Sequence, residues 1–98
     1  MITTLKSKHI SKEFKELYKI SFPKNERLPY LFLSIQLKAK RGELINYYDE
    51  ENFIGFTFSV SLKNFTCLVF FATNPKYRNQ GYGKEILDIY FKENNQKI

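Results

Sequence analysis

A single cysteine, Cys67, is all the sequence offers, so no internal disulfide can form. That excludes a disulfide-stapled secreted module and favours a reducing compartment; the chain is read as cytoplasmic. No window approaches the run of about 18 consecutive apolar residues that a membrane helix needs, and the first ten residues lack the apolar centre of a signal peptide. With one His and one Cys there is no cluster of zinc-type ligands, and no metal is expected. Arginine is scarce as well. Of 16 basic residues only Arg27, Arg41 and Arg78 are arginines, and the lysines from Lys6 to Lys19 are interrupted by Glu13 and Glu16. Sequence-specific readers of nucleic acid lean on arginine for bidentate contacts, so the net charge of +6 reads mainly as a solvated surface. Neither a specific nucleic acid nor a membrane is expected as a partner.

What the chain has in quantity is aromatic residues: ten Phe and seven Tyr among 98 residues. A chain of this length makes one domain at most and buries only roughly 60 to 65% of its unfolded surface, so its core must be dense. Each aromatic ring can bury on the order of 150 to 250 Å². No internal repeat or linker-like stretch divides the chain, and residues 1–98 are treated as one unit.

Periodicity then orders the elements. Ile2 to Leu5 reads as a short first strand. Ser11 can cap a helix running to about Ile20, with Ile10, Phe14, Leu17 and Tyr18 on one stripe. After a loop from Phe22 to Leu28, Pro29 can open a second helix to about Arg41, with Leu31, Phe32, Ile35 and Ala39 as its apolar stripe and Gly42 to end it. Glu43 to Tyr48 reads as a strand and Asp49 to Asn52 as a polar turn. Phe53 to Leu62 reads as a long strand with Ile54, Phe56, Phe58, Val60 and Leu62 on one face and Gly55, Thr57, Ser59 and Ser61 on the other. Phe65 to Thr73 is apolar on both faces and reads as a covered central strand, with Cys67 in its core. A last helix from about Gly81 to Asn94 carries Gly83, Ile86, Leu87, Tyr90 and Phe91 on one stripe. His9 reads as solvated, and Tyr47, Tyr48 and Tyr82 as packing or rim residues.

One stretch carries chemistry. Arg78-Asn79-Gln80-Gly81-Tyr82-Gly83-Lys84 lies between an apolar strand and an amphipathic helix. A helix start offers unpaired N–H groups and a positive dipole end, and glycine lets a phosphate approach the backbone. Two nucleotide motifs fail here. A P-loop requires Gly where Arg78 stands and Ser or Thr where Glu85 stands, and a dinucleotide fingerprint requires a third Gly at Ile86.

What remains, R-x-x-G-x-G after a strand ending in Asn74-Pro75, resembles the signature of the GNAT superfamily of acyl-CoA N-acyltransferases. The run Phe70 to Arg78 is similar to the strand, proline and aromatic that precede that signature, and the element order β-α-α-β-β-β-α agrees. The resemblance implies an α+β fold of three layers, a mostly antiparallel sheet with helices on both faces, its C-terminal strands missing from this chain. It implies that the amides of Asn79, Gln80, Gly81, Tyr82, Gly83 and Lys84, with the charges of Arg78 and Lys84, hold the pyrophosphate of acetyl-CoA. The backbone of Phe71, Ala72 and Thr73 would pair with the pantetheine arm.

The implied activity is acetyl transfer from acetyl-CoA, the cosubstrate, to a primary amine of an acceptor by direct attack. Glu26, in the loop that borders the acceptor in this family, is the candidate to orient or deprotonate that amine, although a local ion pair or helix-entry charge also accounts for it. The family's usual carboxylate on the fourth strand has no counterpart between Phe65 and Thr73. With the family's C-terminal strands also missing from this chain, a non-catalytic acyl-CoA-binding or self-associating module stays open as the alternative. So does a homodimer through the apolar edge of Phe65 to Thr73.

Overall fold

The computed structural model describes residues 2–61, 63–77 and 79–94. Four strands, β1 (Ile2–Ser7), β2 (Gly42–Asp49), β3 (Asn52–Ser61) and β4 (Thr66–Thr73), form one antiparallel sheet in the order β1-β2-β3-β4. Helices α1 (Lys12–Ser21) and α2 (Tyr30–Lys38) cover one face and α3 (Tyr82–Asn94) the other. The three-layer arrangement and the element order are those expected.

Each face has its own core. On the α1/α2 side Phe14, Leu17, Tyr18, Leu33 and Leu37 meet Leu44, Phe56, Phe58 and Phe70. Phe14 packs on Phe56 at 4.5 Å between ring centroids, and Phe70 makes edge-to-face pairs with Tyr18 and Phe22, each at 5.0 Å. Off-parallel ring pairs at these distances add about 0.5–1.5 kcal/mol each beyond area burial. On the α3 side Ile86 and Tyr90 meet Ile45, Tyr47 and Ile54. There the Tyr47 hydroxyl and Thr57 Oγ1 share a buried hydrogen bond of 3.0 Å, and burial pushes the Tyr47 phenol up to about 12.

Helix α1 starts as its sequence dictates, the Ser11 hydroxyl accepting from the Phe14 N–H at 3.1 Å. Several other expectations are corrected. Helix α2 buries Leu33 and Leu37, whereas Leu31, Phe32 and Ile35 are exposed. Its end is made by Lys40 at φ 61, with the Arg41 N–H donating to the Gln36 carbonyl at 3.1 Å. That closes the helix as a left-handed cap residue would, and Gly42 opens β2 instead.

In β3, Ile54 points to the α3 side although Phe56 and Phe58 point to the α1/α2 side. A register shift explains it: Tyr47 pairs with Gly55 and Tyr48 with Phe53, leaving Ile54 as the extra residue of a bulge. Thr57 and Ser59, on the more polar face of that alternation, are buried because α3 covers that face. Strand β4 is an edge strand in the sheet of the described residues, not a central one, and Cys67 is half-buried. It carries its own bulge, since Phe58 pairs with Phe70 and Ser59 with Leu68, which leaves Val69 unpaired and exposed. Leu62 lies outside the described residues.

Gly55 holds the layers at their separation. A methyl group placed there would lie 2.5 Å from the Ala72 carbonyl oxygen and 2.9 Å from Ile86 Cδ1, so β3, β4 and α3 approach only because position 55 has no side chain. At Gly83 the same methyl would sit 3.6 Å from Thr73 Cγ2, an ordinary contact. Gly55→Ala is therefore expected to lower unfolding stability by about 1–3 kcal/mol through overpacking, with Gly83→Ala near neutral. Denaturant unfolding of the two variants checks this, and equal effects would contradict it.

Candidate functional site

The junction from β4 to α3 is fixed from three sides. Asn74 closes the strand: its N–H donates to the Ile54 carbonyl at 2.8 Å and its side-chain amide to the Phe53 carbonyl at 2.9 Å. Its side-chain oxygen accepts from the Lys76 N–H at 3.1 Å, which turns the chain into a single 3₁₀ turn, Pro75–Tyr77. The second tie is longer in sequence. The Tyr82 hydroxyl, on the first residue of α3, donates to the carboxylate of Asp49 at the end of β2. Tyr77 packs edge-on against Tyr82 at 6.3 Å, the third constraint.

Between these ties the backbone takes two left-handed turns, Asn79 at φ 67 and Gly81 at φ 80. The Glu85 N–H donates to the Gly81 carbonyl at 3.1 Å, so Gly81 stands immediately before α3, and the N–H groups of Tyr82, Gly83 and Lys84 belong to the first turn, which has no acceptors inside a helix. A methyl group built on Gly81 would meet nothing within 4 Å. Glycine is thus required here for its φ, and the space beside it is open. Gly83 faces the other way, toward Thr73 and Phe71, and seats α3 on β4. Asn79, Gln80, Gly81 and Lys84 are exposed, Tyr82 half-buried. Arg78 lies outside the described residues.

Of the expected cofactor residues, Phe71, Ala72 and Thr73 form the last part of β4. One edge of that segment pairs with Thr57, Phe56 and Gly55, and among the described residues no strand lies on the other. An unpaired edge of this kind can take up a ligand amide as it would another strand. The residues fit the group expected at both points: an anion-ready helix start with open space, and a free backbone edge leading to it. Among the described residues no group of three or more His, Cys, Asp or Glu is placed to hold a metal ion, and no helix is long and apolar enough to cross a membrane.

Glu26 is exposed, in the 3₁₀ turn Lys24–Glu26 between α1 and α2. That loop is pinned by Tyr18, whose hydroxyl accepts from the Leu28 N–H at 2.6 Å and donates to the Leu28 carbonyl at 3.1 Å, and by Phe22 on Phe70. Desolvation raises the Tyr18 phenol, which keeps it protonated and able to donate. The loop is so held beside the middle of β4. Asp49 and Gly55 had no signal of function in the sequence, since one reads as a turn residue and the other as one position of an alternating strand.

The Asp49 carboxyl lies below the usual carboxylate range, chiefly because the Tyr82 hydroxyl donates to it, and the same bond raises Tyr82. A depressed carboxyl contributes stability that is present above its unfolded pKa and lost as pH falls through its folded value, that is below about 4. Asp49→Asn should therefore be less stable than the wild type at neutral pH and show a smaller loss on acidification. Thermal unfolding from neutral pH to about pH 2 measures the difference; identical acid limbs would contradict the tie.

Comparison with known proteins adds to this geometry. The family model described as the acetyltransferase (GNAT) family matches residues 10–93. Among solved structures, one described as a GNAT-family acetyltransferase of Bacteroides thetaiotaomicron superposes with a TM-score of 0.77 at 29% identity, over 87% of this chain and 49% of that one. The chain thus spans about half the length of that protein. A ribosomal-protein-alanine N-acetyltransferase of Brucella melitensis gives a TM-score of 0.69 at 15% identity, covering 99% of this chain and 76% of its own. An aminoglycoside acetyltransferase from an uncultured soil metagenomic sample gives 0.64 at 16% identity, covering 98% and 73%. The last two likenesses speak to the fold alone. Among curated proteins, none matches the sequence.

Proposed function

Since the chain belongs to the acetyltransferase (GNAT) family, we propose that it supplies the acetyl-CoA-binding part of an N-acetyltransferase that acts on a primary amine. The observation that carries this reading is the start of α3: a glycine at φ 80 with nothing within 4 Å on its open side, followed by the unpaired amides of the first helical turn. Amides 79–84 and the exposed ammonium of Lys84 are proposed to hold the pyrophosphate, with Arg78 adding charge. The open edge of Phe71 to Thr73 is proposed to align the pantetheine arm, which puts the thioester near the middle of β4.

Transfer then forms a C–N bond to the acetyl carbon and breaks its C–S bond. The attacking amine loses a proton, the carbonyl oxygen carries negative charge in the tetrahedral intermediate, and the departing thiolate gains a proton. Backbone N–H groups of β4 are suited to the oxyanion. Glu26, on the loop that Tyr18 and Phe22 hold beside Phe70, is proposed to orient the amine and accept its proton. A second reading, acyl-CoA binding without transfer, is supported by the absence of any carboxylate on β4. The open edge of that strand is also the proposed place for a second copy to pair.

Titration calorimetry with acetyl-CoA on the wild type and Gly81→Val tests the cradle. A branched residue at φ 80 costs on the order of 1–3 kcal/mol, so affinity should fall about tenfold or more as the loop distorts. Equal affinity would contradict the reading. Thiol release in the presence of a primary amine separates the two readings, because binding without turnover favours the non-catalytic module.

A further inference from the structure

Helix α1 borders a groove on each of its flanks. Glu13, Glu16 and Lys19 line a groove of about 700 Å³ beside the end of β4. Lys15 lines a second groove of about 300 Å³ on the other flank, where the turn after β1 meets α2. The walls of this second groove are Lys8, His9, Lys15, Tyr30, Ser34 and Lys38 in their polar part, and among the described residues that line it none is acidic. Lys15 Nζ stands 5.3 Å from the centre of the Tyr30 ring, which holds one ammonium at the wall. Glu13 and Glu16 of α1 border the other groove, so this wall carries Lys8, Lys15 and Lys38 with no carboxylate among its lining residues.

The same groove opens onto apolar surface. Leu31, Ser34, Ile35 and Lys38 follow one another at i, i+3, i+4 and i+7 and form one stripe along α2. Leu31 is 72% exposed and Ile35 47%, with Phe32 beside them at 42%. A helix that keeps an apolar stripe in water beside a concave basic wall has the two features of a recognition surface, an anchor area and a charge pattern.

We propose that this groove and the adjoining face of α2 dock an acidic peptide segment of a partner protein, its carboxylates against Lys8, Lys15 and Lys38 and an apolar side chain on Leu31 and Ile35. Concavity argues for a peptide over a lipid surface, since a plane cannot fill a groove. The apolar stripe argues against nucleic acid, whose phosphate backbone offers nothing to pack on it. The proposal stands apart from acetyl transfer and needs no acetyl-CoA.

The test is fluorescence anisotropy of a dye-labelled peptide of alternating glutamate and leucine, titrated with the full chain. Charge reversal at Lys15→Glu with Lys38→Glu should weaken binding about tenfold, from lost attraction and added repulsion at exposed sites. Leu31→Ser with Ile35→Ser should weaken it comparably, whereas Lys63→Glu with Lys92→Glu, an equal change of net charge elsewhere, should leave it within about twofold. All these positions are exposed, so circular dichroism should show each variant folded. Equal loss in the two charge reversals would overturn the proposal in favour of net charge alone. Binding to vesicles containing phosphatidylglycerol without binding to the peptide would overturn it in favour of a membrane. Self-association abolished by the Leu31 and Ile35 changes, with no peptide bound, would overturn it in favour of a second copy.

Discussion

Three elements meet at Gly55 with no space for a methyl group: the Ala72 carbonyl of β4 on one side and the Ile86 side chain of α3 on the other. Everything proposed about the acetyl-CoA site depends on this closeness. It sets how near the helix start comes to the strand edge, so that an anion at the first turn of α3 and an extended arm along Phe71 to Thr73 can belong to one ligand. Asn74 and the pairing of Asp49 with Tyr82 then fix the direction in which the loop leaves the sheet. Packing gives the distance and hydrogen bonds give the orientation.

The two bulges extend the same logic. One extra residue at Ile54 and another at Val69 let β3 and β4 supply apolar side chains to both layers in turn. On β4 this turns Phe70 toward α1 and the loop from Phe22 to Leu28, and Phe71 toward α3. A single strand thereby touches the loop from Phe22 to Leu28, which carries Glu26, and the helix whose first turn is proposed to hold the pyrophosphate, the two sides that the proposed transfer brings together.

Much of this was legible in the residues. The order of elements, the cap at Ser11 and the glycine-bearing turn before α3 follow from local rules, because each concerns neighbours in sequence. Faces were harder. Helix α2 is apolar nearly all round, with Leu31, Phe32, Leu33, Ile35 and Leu37, so its periodicity admits two stripes and only packing chooses Leu33 and Leu37. In β3 strict alternation misplaces Ile54, since a bulge leaves no mark in a hydrophobic pattern. Asp49 and Tyr82 are 33 residues apart, beyond the reach of any spacing rule, and the composition of β4 alone reads as a central strand although it stands at the edge of the sheet of the described residues. The part of the site that a motif marks was visible; the parts that position it come from contacts distant in the chain.

The central claim is that one continuous surface, from the open edge of β4 to the first turn of α3, receives acetyl-CoA. Amide chemical-shift mapping by NMR during titration with acetyl-CoA tests it most directly. The account predicts the largest shifts at residues 71–73 and 79–84, with smaller ones at Gly55 and Asp49 behind them. Shifts confined to the α1/α2 side, or none at saturating ligand, would contradict it.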